Sequence, residues 1–189
     1  MLIPTSFEAS SATLDRAHNR PEPALAQRQR IGHCRQVLTY VLGAPGSGKT
    51  TVSPLLQRRL LNHVVLDWDA FMDTASALSG RDVRTHSETW PSYRSLVHAV
   101  VASIRPHPTV LLGVCTPSEL ADWSIDVSIL LDCSDDVREQ RLGGLAAEVI
   151  ADAVADGRQY RVLGLPVIDT TDRTPHEVAT ALADLIGAS

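Results

Sequence analysis

The feature that most constrains this chain is the octapeptide Gly43-Ala44-Pro45-Gly46-Ser47-Gly48-Lys49-Thr50, which fits the phosphate-binding pattern G-x-x-x-x-G-K-[ST]. Its glycines let the backbone turn tightly and bring several N–H groups around one anion. A helix that starts at the end of the loop points its positive N-terminus at the same place. Lys49 adds a mobile ammonium for the outer phosphates, and Thr50 offers a hydroxyl oxygen to Mg²⁺, an ion that keeps most of its waters and takes few protein ligands. Context supports the pattern. Residues 36–42 read as a buried strand, and residues 51–62 carry Val52, Leu55, Leu56 and Leu60 at helical spacing. Strand, glycine loop and helix is the setting the pattern requires.

The rest of the chain repeats that alternation. Apolar strands are expected at 63–66, 108–114, 126–131 and 165–168, with helices over 70–78, 92–104, 135–155 and from Thr174 onward. A short helix opens near Pro117. An interruption of the 135–155 helix is expected at Gly143-Gly144, and Thr174 with Glu177 forms a capping-box pattern. Continuous apolar strands separated by helices predict an α/β fold of three layers, a five-stranded parallel sheet flanked by helices. Right-handed crossovers put every strand's C-terminal end on one edge, where ligands bind. Residues 34–189 form this domain. Residues 1–33 are rich in polar residues and proline without apolar period and read as a flexible N-terminal tail, with a short helix at 24–31.

Composition narrows the function classes. Apolar residues at 44% suffice for a full core, while a net charge of −5 without blocks of like charge argues against a nucleic-acid or anionic-membrane surface. No apolar run approaches the ~20 residues of a membrane span. Three cysteines cannot all pair and none has C-x-x-C spacing, so a reduced, cytoplasmic setting is the expectation.

A second acidic site follows the phosphate loop. Val64-Val65-Leu66-Asp67-Trp68-Asp69 ends the second strand with two acids, a D-x-D pair. Phosphoryl transfer needs a held triphosphate, a placed Mg²⁺, and a base near the acceptor hydroxyl. Asp69 is the candidate base, and Asp67 its neighbour on the metal or acceptor side. Helix capping is the competing reading of Asp69. Asp132 and Asp169 also end strands, and Asp132 reads as a cap. Between Asp69 and the third strand lie Arg81, Arg84, Trp90, Tyr93 and Arg94, candidates to clamp an anionic group or wall a ring. Gly113 ends the third strand on the same edge.

GAPGSGKT at 43–50, LDWD at 66–69, VREQRL at 137–142 and PVIDTTDRTPHEVA at 166–179 together resemble the small P-loop kinases of the shikimate kinase, gluconate kinase, adenylylsulfate kinase and chloramphenicol phosphotransferase kind. The resemblance spans about residues 36–187. It implies ATP and Mg²⁺ as cofactors and a small-molecule acceptor. Gly43, Ala44, Pro45, Gly46, Ser47, Gly48, Lys49, Thr50 and Thr51 would hold the phosphates, with Thr50 and Asp67 on the metal. Arg141 would stack on the adenine and Thr171-Asp172 would border it; the alternative for Arg141 is a solvated residue paired with Glu139 or Asp136. One departure stands out. The segment after Arg141-Leu142 is Gly143-Gly144-Leu145-Ala146-Ala147, without the lid arginine such kinases carry, and Arg158 and Arg161 are the later candidates to replace it. Three functions follow: transfer of a γ-phosphoryl group to a hydroxyl of a metabolite, sugar acid, nucleoside or antibiotic; nucleoside monophosphate phosphorylation; or nucleotide binding with little turnover.

Overall fold

The computed structural model describes residues 38–187, so the expectations for residues 1–33 lie outside the described residues. Five strands, β1 (Leu38–Leu42), β2 (Val64–Asp67), β3 (Thr109–Gly113), β4 (Val127–Asp132) and β5 (Val167–Asp169), pair entirely in parallel in the order β2-β3-β1-β4-β5. Six α-helices join them: α1 (Lys49–Arg59), α2 (Met72–Ser79), α3 (Trp90–Ile104), α4 (Asp135–Arg141), α5 (Ala147–Arg161) and α6 (Pro175–Gly187). This is the expected three-layer fold.

Period-two alternation along the strands builds two cores, one on each face of the sheet. Leu38, Tyr40 and Leu42 of β1, with Leu111 and Leu130, enter a core that α2, α3 and α5 close through Met72, Ala75, Tyr93, Val97, Val101 and Tyr160. Val41, Val110, Leu112, Ile129 and Leu131 enter the other, which α1 and α6 close through Val52, Leu56, Val178, Leu182 and Ile186. In α1 the buried pair is spaced i, i+4, and in α6 the spacing 178, 182, 186 repeats it, so each helix offers one apolar stripe to the sheet. The central strand β1 runs between β3 and β4, with Leu42 level with both Gly113 and Leu130. Order reverses there, which opens a crevice beyond the strand ends.

Several boundaries differ from the sequence reading for local reasons. The first helix starts at Lys49, because Gly48 in a left-handed conformation turns the loop directly into helix. Asp67 belongs to β2, and Asp69 lies in a 3-10 turn over Trp68–Phe71. Helix α3 starts at Trp90 with Pro91 in its first turn, where a missing N–H costs nothing. The expected helix near Pro117 is only a set of turns leading to a 3-10 turn over Ala121–Trp123. The break at Gly143-Gly144 is present: Gly144 has φ 102°, and it separates α4 from α5. Among the described residues no helix is long and apolar enough to cross a membrane. Cys115 and Cys133 are buried free thiols.

Candidate active site

The phosphate loop fills the crevice at the end of β1. Gly46 and Gly48 have φ of 79° and 99°, which an L side chain adopts only with strain. Gly43 is required for a different reason: a Cβ there would lie 2.5 Å from Ser47 Oγ. The loop and the start of α1 line a cavity of about 570 Å³ through Pro45, Gly46, Ser47, Gly48, Lys49, Thr50 and Thr51. Asp69 contributes to the wall from β2's side, and Arg141, Thr170, Arg173 and Val178 from the other.

Side chains from α4 and from the turn after β5 hold three of the loop's carbonyls. Arg138 Nη1 donates to Pro45 O at 2.6 Å, Arg141 Nη1 to Gly46 O at 3.2 Å, and Thr170 Oγ1 to Ser47 O at 3.1 Å. In a planar trans peptide the N–H of the next residue points opposite to the carbonyl. Arg138 does not line the cavity, so its hold on the Pro45 carbonyl turns the Gly46 N–H toward the cavity side. The first N–H groups of α1 have no intrahelical partner and add to the same donor set. Ser47 Oγ is fully buried and without a partner, and a Cβ on Gly48 would lie 3.9 Å from Arg141 Nη1. These donors suit a polyphosphate. Gly46, Ser47, Gly48, Lys49, Thr50 and Thr51 would hold it. Thr50, exposed at the cavity wall, is the hydroxyl that would meet an accompanying Mg²⁺.

Lys49 is only 5% exposed. Its Nζ donates to Gly43 O at 2.5 Å and reaches Ala44 O at 3.4 Å. Burial lowers its pKa from the ordinary lysine value, while Asp69 and Asp67 pull it back up. Asp69 is half-buried and its pKa is raised, chiefly by burial, with Lys49 opposing and Asp67 adding to the rise. A carboxylate with a raised pKa in the same wall as a desolvated ammonium is an arrangement that clusters at functional sites. The capping function falls to Asp67: its Oδ1 accepts the Asp69 N–H at 3.1 Å and fixes the turn that presents Asp69. Asp67 does not border the cavity, so the structure places the expected metal-side acid behind Asp69. Asp156 on α5 is a further acid whose charge reaches Lys49, and it went unremarked in the sequence because nothing local marks it.

The candidate acceptor-side residues do not gather at the cavity. Arg81 pairs with Glu88 at 3.0 Å, Arg84 with Asp73 at 2.7 Å and Arg94 with Asp122 at 2.8 Å. Trp90 and Tyr93 belong to an aromatic cluster with Trp68 and Trp123, in which Trp68 stacks on Trp123 at 5.3 Å. Tyr93 is buried and its hydroxyl donates to the Trp68 carbonyl. Gly113 has no role in the wall: its missing side chain makes room for Tyr40, whose hydroxyl would lie 2.6 Å from a Cβ there. Ala44 and Pro45 serve the loop through their backbones.

On the nucleotide side the expectation shifts by one residue. Thr170 lines the cavity, whereas Thr171 turns into a neighbouring cleft, donating to Asp169 Oδ1 at 2.6 Å and accepting the Ser134 N–H. Asp172 borders neither, while Arg173, which sequence reasoning passed over, borders the cavity. Arg141 pairs with neither Glu139 nor Asp136. It spans Gly46 O, Thr170 Oγ1 at 2.9 Å and Thr170 O at 2.7 Å. Asp132 is not a cap, because Ser134 is, with its Oγ accepting the Val137 N–H. Asp132 instead holds Arg138 at 2.5 Å and Arg161 at 2.6 Å. Arg158 and Arg161 are bound to Asp135 at 2.8 Å each, so neither is available over the loop. The cations at the cavity are Lys49, Arg141 and Arg173.

A three-layer parallel sheet with this loop at its switch point defines the P-loop α/β fold. The chain belongs to the AAA domain family, whose sequence profile matches residues 40–148, more than half of its length. No curated protein matches it significantly. Solved structures with the same fold include shikimate kinase from Acinetobacter baumannii in complex with shikimate, at 18% identity and TM-score 0.61, covering 82% of this chain and 94% of that one. A gluconokinase from Sinorhizobium meliloti 1021 matches at 15% identity and TM-score 0.60, over 81% and 93% of the two chains. The tunicamycin resistance protein of Deinococcus radiodurans matches at 19% identity and TM-score 0.59, over 81% and 96%. The fold is thus that of the small P-loop kinases.

Proposed function

We propose that this protein is an ATP-dependent phosphotransferase that moves the γ-phosphoryl group to a hydroxyl of a small molecule. The observation that carries the reading is that Asp69 and Lys49 line one cavity, a half-buried carboxylate across from the glycine loop, close enough for each to shift the other's pKa. Asp69 takes the proton as the acceptor O–H bond breaks; the acceptor oxygen bonds to phosphorus, and the bond from phosphorus to the bridging oxygen breaks, releasing ADP. Lys49, the N–H groups of the loop and the N-terminus of α1 hold the charge that collects on the phosphoryl oxygens. Mg²⁺, when bound, would supply further charge neutralisation beside Thr50. Arg141 and Arg173 are the cavity cations that stand where a lid arginine is absent.

A nucleoside monophosphate acceptor is the weaker reading. It requires arginines free to clamp a second phosphate, and Arg81, Arg84 and Arg94 are each engaged with an acid away from the cavity. Binding with little turnover draws support from residues 142–146, which carry no arginine. ADP release, measured against hydroxyl-bearing metabolites, sugar acids, nucleosides, antibiotics and nucleoside monophosphates, separates the three. Acceptor-dependent turnover lost in Asp69→Asn supports transfer to a hydroxyl. Turnover with monophosphates alone supports the second reading, and tight ATP binding without turnover supports the third.

A further inference from the structure

Arg138 is the least expected feature of the molecule: a guanidinium with no exposed surface. It points into the fold from α4. One end donates to Pro45 O at 2.6 Å and the other to Asp132 Oδ1 at 2.5 Å. Asp132 Oδ2 accepts from Arg161 Nε at 2.6 Å, and Arg161 Nη2 donates to Cys133 O at 2.7 Å. The flat face of Arg138 lies on Gly157 of α5. A Cβ at Gly157 would sit 2.8 Å from Nη2 and 3.0 Å from Cζ and Nε. Arg138 Nε has no partner, so the group is held by its two ends and by the glycine surface. On its other side the Cγ of Arg138 sits 3.0 Å from where a Cβ on Gly46 would be.

We propose that Arg138 is the positioning residue of the phosphate loop: locked between Asp132 and Gly157, it holds the Pro45 carbonyl outward and thereby sets the direction of the Gly46 N–H. The role rests on reading the loop as a nucleotide site. Two consequences follow. The loop takes its shape partly from α5, a helix distant from it in sequence. Gly157 is a positioning residue as well, because its lack of a side chain is what admits the guanidinium. A lysine or leucine at 138 satisfies α4 as a helix but cannot fork between Pro45 O and Asp132.

Two variants test this in the full chain, Arg138→Met and Gly157→Ala. Backbone amide ¹H–¹⁵N chemical shifts are measured without nucleotide, and MgATP affinity is measured with a fluorescent ATP analogue. Gly157→Ala changes no charge and touches no cavity residue. The Gly46 amide resonance is expected to move in both variants while the β1 and β3 amides keep their wild-type shifts, and the dissociation constant for MgATP is expected to rise at least threefold. Should Arg138→Met fail to fold, Gly157→Ala decides alone. A folded Gly157→Ala protein with the wild-type Gly46 amide shift overturns the proposal. If wild type itself does not bind MgATP, the nucleotide reading fails, and the chemical-shift comparison still decides whether Arg138 shapes the loop.

Discussion

Replacing Lys49 by Met separates what the ammonium does for binding from what it costs the fold. The substitution keeps the length of the side chain and removes the charge. In the structure Lys49 is only 5% exposed, its ammonium is held by Gly43 O at 2.5 Å, and its pKa is lowered, with burial as the largest cause. A lysine whose folded pKa lies below its unfolded value is charged at a net cost to stability at every pH below the folded pKa. That cost disappears as pH rises through the unfolded value, here 10.5. Lys49→Met is therefore expected to melt at or above the wild-type temperature at pH 7, with the gap narrowing as pH approaches 10. Binding should change in the opposite sense. Loss of one charge-assisted hydrogen bond to phosphate removes about 1.5–3 kcal/mol, roughly a 10- to 150-fold weakening of MgATP affinity. Calorimetric titration gives the affinity and a pH series of thermal melts gives the stability. A variant that binds MgATP within threefold of wild type, or that melts well below it at pH 7, refutes the assignment of Lys49.

Asp69→Asn should lower acceptor-dependent turnover by about 10²–10⁴-fold, the usual size of a general-base contribution, and leave MgATP affinity nearly unchanged. Because burial raises the Asp69 pKa, ionising it costs the fold stability at neutral pH; Asp69→Asn should then melt higher than wild type at pH 7 and equal to it below the ordinary carboxylate pKa of 3.8. The wild-type rate should fall on acidification at a pH above that value, and a rate flat down to pH 4 excludes Asp69 as the base. Gly46→Ala forces a side chain into positive φ and against the Arg138 Cγ. Its effect, read by melting and by nucleotide titration, should be a loss of about 1–3 kcal/mol of stability together with weaker MgATP binding. Trp68 is fully buried, and its Nε1 has no partner. Trp68→Ala should cost about 3–5 kcal/mol, roughly 6–20 °C in Tm, while Trp68→Phe, which deletes an unpaired donor, should cost far less.

Much of the architecture was legible in the residues because its signals are local. The glycine loop needs only eight positions, the strands are short apolar runs, and the Gly143-Gly144 break and the Thr174–Glu177 cap are written in adjacent residues. Thr174 Nα–H and Oγ1 both donate to Glu177 Oε2, at 2.8 and 2.7 Å. The place of Asp69 at the cavity was legible for the same reason, as an acid two residues past another at a strand end. What escaped is set by tertiary contact. Nothing around Arg138 says that it is buried, and Asp132 looks like a cap until β4 is seen to extend to it and two arginines converge on it. Arg81, Arg84 and Arg94 each find an acid 7, 11 or 28 residues away, and a list of arginines does not reveal that their charges are spent. Trp90 and Tyr93 look like ring-binding residues because aromatic side chains serve cores and ligands equally well. At the other end of the site a one-residue shift exchanged Thr171 for Thr170, since consecutive residues beyond a strand face opposite ways.

The claim on which all of this depends is that the loop between β1 and α1 grips a nucleotide triphosphate. Isothermal titration of the folded wild-type chain with MgATP measures it directly. One site per chain with a dissociation constant in the micromolar to submillimolar range, and at least tenfold weaker binding in Lys49→Met, is the predicted result. A folded chain that evolves no heat and shows no affinity for MgATP by any titration contradicts it.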